Sequence, residues 1–132
     1  IPKFIKSIME NKEIIINGVG NQRRDFTYID NVIEANLKAC FIKNNNRYGK
    51  VFNVAFGEST SINELYIILS KLLNKKTTVT YGPERIGDIK NSLADISETK
   101  SILEYNPKYN IRDGLKLTVK WYIENLKRKE SI

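Results

Sequence analysis

Residues 13–41, EIIINGVGNQRRDFTYIDNVIEANLKACF, decide the class of fold. Glu13 to Asn17 is a short β-rich run closed by Gly18-Val19-Gly20-Asn21. Phe26, Tyr28 and Ile29 form a second extended patch. Asp30 is a residue type that caps helix N-termini by accepting from free backbone N–H groups. From it a helix is expected with Ile33, Leu37, Cys40 and Phe41 on one face, ended by Asn44-Asn45-Asn46. Strand, glycine turn and amphipathic helix in succession point to an α/β layer system.

The same alternation continues in both directions. Ile1 to Met9 reads as an amphipathic helix with Pro2 near its first turn. Val51 to Phe56 reads as a strand ended by Gly57. Ser61 with Glu64 three residues later is a capping box, and it opens a helix with Leu65, Ile68, Leu69 and Leu72 on one face. Thr77 to Tyr81 is a further strand, ended by Gly82-Pro83. Ser97 is expected to cap a short helix through Leu103, and Pro107 breaks the chain. Gly114 to Leu126 forms the last helix, with Leu115, Val119, Tyr122, Ile123 and Leu126 facing inward. The prediction is one small mixed α/β domain over residues 1–132, with several helices against a thin sheet of three short strands. No internal repeat is present. A chain that opens with isoleucine at the edge of a helix, without a signal-peptide pattern, reads as cut from something longer; a trimmed leader is the alternative.

Composition bounds the chemistry. The chain has 132 residues, of which 41% are hydrophobic and 28% charged, enough for one domain and too few for two. No window approaches the roughly 18 consecutive apolar residues of a membrane span. A single cysteine, Cys40, excludes an internal disulfide, and the absence of histidine excludes Ser-His-Asp and Cys-His sites. The net charge of +7 fits a phosphorylated or polyanionic partner, or lysine on a solvated surface. Several of the charges sit in the tail Lys127, Arg128 and Lys129.

Three segments carry candidate chemistry. Gly18 to Asp25 joins two glycines to Arg23 and Arg24, a loop type that can cradle a phosphate; the third glycine of a dinucleotide fingerprint is missing, and no helix follows directly. The competing reading is a glycine turn beside a surface arginine pair. Pro83 to Asp88 presents Arg85, whose fork matches a phosphate, and Asp88, which can accept from sugar hydroxyls; an exposed ion pair in a turn is the alternative. Ser92-Leu93-Ala94-Asp95 follows, with local helix capping as the plain role of Asp95. No tyrosine is followed four residues later by lysine, no carboxylate pair stands out as acid and base, and no metal-ligand spacing occurs.

Arg24-Asp25-Phe26-Thr27-Tyr28-Ile29-Asp30-Asn31, Phe52-Asn53-Val54-Ala55 and Arg85-Ile86-Gly87-Asp88 together resemble the C-terminal part of nucleotide-sugar epimerases of the extended short-chain dehydrogenase/reductase family. Ile1-Pro2-Lys3-Phe4, Ile16-Asn17-Gly18, Ser92 to Ser97, Tyr105 to Tyr109 and Gly114-Leu115 extend the resemblance over nearly the whole chain. It is nearest to the bacterial UDP-N-acetylglucosamine 4-epimerases. The resemblance implies the substrate-binding part of an enzyme in cell-surface polysaccharide precursor synthesis. That enzyme's NAD, Tyr-x-x-x-Lys pair and Ser/Thr lie in an N-terminal Rossmann domain, expected upstream of Ile1. No catalytic residue and no bound NAD are expected in this chain.

By the same resemblance Arg24 and Arg85 meet the UDP phosphates, and Asp88 lies near the ribose. The stretch at Ile1, Pro2 and Lys3 lies against the uracil edge, and Asn17 beside the nucleotide. Ser92 lines the pocket at the sugar 2-substituent. There a small residue leaves room for an acetamido group, and a tyrosine restricts the site to UDP-glucose and UDP-galactose. The resemblance further implies a cytoplasmic protein with a UDP-sugar substrate and no membrane partner. Apolar residues near Ile1, Phe26 and Tyr28 are expected to be uncovered, which homo-oligomerisation would hide. The alternatives are a nucleotide-sugar dehydratase or decarboxylase on the same scaffold, or a basic nucleic-acid-binding module. Against the last, the aromatics do not interleave with arginines on one strand face.

Overall fold

The computed structural model describes residues 1–42 and 49–129, with side chains through residue 125. In chain order its elements are α1 (Pro2–Met9), β1 (Ile14–Asn17), β2 (Arg23–Arg24), α2 (Ile29–Cys40), β3 (Thr60–Ser61), α3 (Ile62–Leu73), β4 (Val79–Gly82), α4 (Ser97–Leu103) and α5 (Ile111–Lys129). The mixed α/β class expected from the sequence is the observed one.

The strands form two separate ladders rather than one sheet. β1 pairs in parallel with β4, from Ile14 opposite Val79 to Asn17 opposite Gly82, and β2 pairs antiparallel with β3. A parallel pair needs a long crossover, and α2 and α3 lie within it here. Ile14 and Ile16 point into the larger core, while Ile15 between them is exposed, which is the alternation of a one-sided strand.

Two hydrophobic clusters hold the chain. The larger joins Ile5 and Ile8 of α1, Ile14 and Ile16 of β1, Leu65, Ile68 and Leu69 of α3, and Leu115 and Val119 of α5. The α3 and α5 residues are on the faces expected from the spacing. The capping box forms as expected: the Glu64 N–H donates to Ser61 Oγ at 3.1 Å, and the Ser61 N–H donates to Glu64 Oε2 at 2.8 Å. The smaller cluster joins Ala35, Ala55, Ile96, Leu103 and Tyr105.

Several expectations are corrected. Val51 to Phe56 is not a strand: it belongs to no ladder among the described residues, and the chain bends at Ala55. Its polar backbone groups turn to side chains instead. Thr99 Oγ1 donates to the Asn53 carbonyl at 2.6 Å, and the Tyr105 hydroxyl to the Ala55 carbonyl at 2.9 Å. The Phe56 and Gly57 N–H groups donate to Asp25. Tyr28, not Asp30, is the extended residue at the start of α2, and Ile29 is already helical rather than part of an extended patch.

The face of α2 carrying Ile33, Leu37 and Cys40 is exposed, as is Phe41 beyond it; the helix buries Asn31 and Ala35 instead. Uncovered apolar residues lie on α2, as well as at Val51, Ile86 and other exposed positions, whereas Ile1 and Phe26 pack against the larger core. Ser97 is the first residue of α4 rather than its cap, and its N–H is taken by Asp95 Oδ1 at 2.9 Å. The Ser97 side chain, and then this backbone N–H, hold the Asp95 carboxyl below the usual carboxylate range. α5 begins three residues earlier than Gly114, where Asn110 Oδ1 accepts from the N–H groups of Arg112 and Asp113. The expected helix stop at Asn44-Asn45-Asn46, the inward side chain of Leu126 and the charges of Lys127, Arg128 and Lys129 lie outside the described residues or side chains.

Candidate functional site

The site is built where β1, β2 and the loop after β4 meet. At the end of the β1–β4 ladder the Gly18 N–H continues the pairing by donating to the Gly82 carbonyl at 3.0 Å. That contact carries Asn17 and the loop Pro83–Asp88 to the same edge. The loop turns at Arg85 to Asp88, closed by the Asp88 N–H donating to the Arg85 carbonyl at 3.0 Å. Gly87 takes a φ of +78°, a conformation open to glycine without strain. The turn places Arg85 and Asp88 side by side.

Asn17, Gln22, Arg85, Asp88 and Lys90 border one cavity of about 370 Å³. A second of about 220 Å³ shares Asn17, Gln22, Arg85 and Asp88 and extends to Ile1 and Phe26. Arg24 approaches from the β2 side. Its Nη2 pairs with Asp88 Oδ1 at 2.5 Å, and its Nη1 donates to the carbonyls of Arg23 at 2.8 Å and Ile89 at 2.5 Å. The fork is therefore held by three acceptors, and the pair is two-thirds buried. Arg23 points elsewhere, to Ser59 and Glu64. The cavities thus carry Arg85 and Lys90 against Asp88, already neutralised by Arg24, and against Glu84 at the rim of the first. Such a surface accepts an anionic group with hydroxyl-bearing neighbours.

The structure brings together Asn17, Arg85 and Asp88, with Arg24 joined to them through Asp88. Pro2 and Lys3 are exposed on the first turn of α1; their neighbour Ile1 borders the smaller cavity. Ser92 is exposed and is placed by its N–H, which donates to the Arg23 carbonyl at 3.1 Å; it borders neither cavity. Gln22 and Lys90 were missed in the sequence. Gln22 joins through Nε2, which donates to the Asn17 carbonyl at 2.9 Å, and Lys90 through its carbonyl, which accepts from the Arg23 N–H at 2.8 Å. Neither has a spacing signal: the Gln22 contact is a side-chain bond across the glycine turn, and that of Lys90 depends on a long-range pairing with Arg23.

The Gly18–Gly20 turn does not fit the pyrophosphate cradle of NAD. It leads into β2 rather than a helix, so no helix N-terminus faces it. The space beside Gly20 is filled: a Cβ there would lie 2.1 Å from Asn63 Oδ1. Asn63 Nδ2 donates to the Val19 carbonyl at 2.9 Å, so the turn is packed against α3.

Residues 1–55, which include α1, β1, β2 and α2, match the NAD dependent epimerase/dehydratase family. The chain is 39% identical to the UDP-glucuronate 4-epimerase of Thermodesulfobacterium geofontis, over 98% of its own length and 39% of the relative's. It superposes with a TM-score of 0.85 on the UDP-glucuronic acid 4-epimerase of Bacillus cereus, solved with UDP-glucuronic acid and NAD, at 36% identity over 93% of this chain and 38% of that one. It superposes with a TM-score of 0.84 on the UDP-N-acetylglucosamine 4-epimerase of Methanobrevibacter ruminantium M1, solved with UDP-N-acetylmuramic acid, at 39% identity over 94% of this chain and 39% of that one. The chain thus spans about two fifths of the length of these relatives.

Proposed function

From a chain that shares sequence and fold with UDP-sugar epimerases of the NAD dependent epimerase/dehydratase family, we propose a UDP-sugar-binding domain whose whole protein is a 4-epimerase. The observation that carries this reading is the grouping of Arg85, Asp88 and Asn17 around connected cavities, with Arg24 locked onto Asp88. In this proposal the diphosphate lies along Arg85, and the Arg24–Asp88 pair presents a carboxylate edge to the ribose. The uracil lies toward Ile1, Pro2 and Lys3. Each hydrogen bond to a charged group contributes roughly 1.5–3 kcal/mol net, so the nucleotide can be anchored while the sugar turns. The proposed partner is the remainder of the relatives' chain, with a Rossmann domain and NAD, seated on the exposed face of α2. Removal and return of hydride at the sugar is assigned to that part and not to any residue of this chain.

The sugar is proposed to be an N-acetylhexosamine, interconverting UDP-N-acetylglucosamine and UDP-N-acetylgalactosamine. Ser92 supports this as a small residue seven positions after Arg85; UDP-glucuronate epimerases among the relatives make a uronic acid the second reading.

Calorimetric titration with UDP tests the binding. Saturable binding that Arg85→Ala weakens by about tenfold or more supports the reading. UDP binding unaffected by Arg85→Ala and Asp88→Ala would sink it. For the sugar, turnover of UDP-N-acetylglucosamine and UDP-glucose by the whole protein is compared before and after Ser92→Tyr. A tyrosine variant that still takes the acetylated sugar unimpaired removes the specificity assignment.

A further inference from the structure

Gln22 borders both cavities of the proposed UDP site. Its side-chain amide is not free to turn over. Nε2 donates to the Asn17 carbonyl at 2.9 Å, across the glycine turn. The reversed amide would set Oε1 against that carbonyl, acceptor against acceptor, so the orientation follows from the chemistry of the group. No group among the described residues donates to Oε1. The free end of this amide is therefore an acceptor.

The backbone beneath it is held as well. The first two N–H groups of α3 have no acceptor within their own helix. Both are spent on the turn: the Ile62 N–H donates to the Gln22 carbonyl at 3.2 Å, and the Asn63 N–H to the Gly20 carbonyl at 3.1 Å. Asn17 differs. It borders the same two cavities, but its exposed carboxamide has no hydrogen bond among the described residues and can present either end. The smaller cavity joins Gln22 to Ile1, Phe4 and Phe26, an apolar lining suited to a flat ring, and both cavities reach Arg85.

We propose that Gln22 selects the nucleobase, its Oε1 accepting the N3–H of uracil. This rests on the UDP reading and adds the residue that sets base specificity. The pairing edge of uracil has one donor, N3–H, between two carbonyl acceptors, so a fixed acceptor has one place to meet it. Cytosine carries a lone pair at N3, and its donor is displaced to the amino group at C4. With the amide tied to Asn17 and the diphosphate on Arg85, the acceptor does not follow that displacement. Cytosine then leaves Oε1 facing a lone pair, and an unpaired polar group at a binding site costs affinity.

NMR titrations of the 132-residue chain with UDP and with CDP test this through the ratio of the two dissociation constants. Both ligands carry the same ribose and diphosphate, so a change in charge or in fold scales both constants and leaves the ratio. UDP is expected to bind about tenfold more tightly than CDP. Gln22→Met removes the acceptor at similar length, and Gln22→Lys keeps a donor for the Asn17 carbonyl without an acceptor. Each is expected to bring the ratio close to one, whereas Arg85→Ala weakens both ligands and keeps it. UDP methylated at N3 is expected to bind the unaltered chain no better than CDP. A ratio near one in the unaltered chain, or a preference for UDP that survives both Gln22 variants, overturns the proposal alone. So do equal losses for UDP and CDP in both variants, since they put Gln22 against a group that the two nucleotides share. Binding of neither nucleotide overturns the UDP reading itself, and this proposal with it.

Discussion

Asn31 and Asp25 are the residues whose importance is least visible in composition. Asn31 is 1% exposed; its Nδ2 donates to the Tyr109 carbonyl at 2.8 Å, and its Oδ1 accepts from the N–H groups of Lys108 at 2.9 Å and Tyr109 at 3.1 Å. One side chain thus supplies the backbone partners of the turn leading into α5. Asp25 does the same for Phe56 and Gly57, at 3.2 and 3.0 Å. Both belong to the Arg24–Asn31 stretch, which couples the arginine of the proposed site to two distant loops. Asn31→Ala leaves three part-buried backbone groups, the Lys108 and Tyr109 N–H groups and the Tyr109 carbonyl, without this partner, and is expected to lower stability by about 2–4 kcal/mol. Urea unfolding measures it; a loss below about 1 kcal/mol would show that water replaces the side chain without cost.

At the scale of elements, caps and close approaches decide the outcome. In the capping box of α3 the Ser61 backbone N–H, then the Ser61 side chain and Arg23, hold the Glu64 carboxyl below its ordinary value of 4.5. A carboxyl with a depressed folded pKa adds stability above its unfolded pKa, and loses it as pH falls through the folded value. The chain should therefore lose part of its stability on acidification below about pH 4.5, and Glu64→Gln should flatten that slope in denaturation curves recorded across pH. The same helix was legible beforehand because a capping box is a local pattern. The approach of α5 to Tyr28 was not. A Cβ on Gly114 would lie 2.9 Å from the Tyr28 Cβ and 3.0 Å from its Cδ2. Gly114→Ala gains roughly 1 kcal/mol of helix propensity, but overpacking costs typically 1–3 kcal/mol. A net fall in the thermal midpoint is expected, and a rise would mean that Tyr28 moves freely.

Over the whole molecule the largest mismatch between pattern and packing is α2. Its apolar row is written in the sequence like a core-facing stripe, yet Leu37 is 53% and Phe41 77% exposed, and nearby Val51 is 89% exposed. Buried Asn31 and Ala35 face the chain's own interior instead. Beside α2 the segment 51–56 joins no ladder among the described residues and gives backbone groups to side chains instead, so the apolar residues of α2 and Val51 are left uncovered. Self-association, or docking of the remainder of the relatives' chain, would cover them. Leu37→Lys is expected to change the stability of the chain by no more than about 0.5 kcal/mol. It should also reduce concentration-dependent association in sedimentation velocity. Destabilisation of the isolated chain, with association unchanged, would show that α2 packs inward.

The sequence by itself determined what is local. The amphipathic character of α1, the face of α3, the β1 run, the Ser61–Glu64 cap and the glycine turns depend on residues three or four apart or on single conformational preferences. The family resemblance, rather than spacing, implied a shared site for Arg24, Arg85 and Asp88. Only the tertiary structure decided what depends on partners far apart in sequence. That includes the splitting of the strands into two ladders, the unpaired state of Val51 to Phe56 and the entry of Gln22 and Lys90 into the cavity wall. It also includes the exposure of α2. Periodicity specifies that a helix has an apolar face; which surface covers that face is a property of the assembled chain.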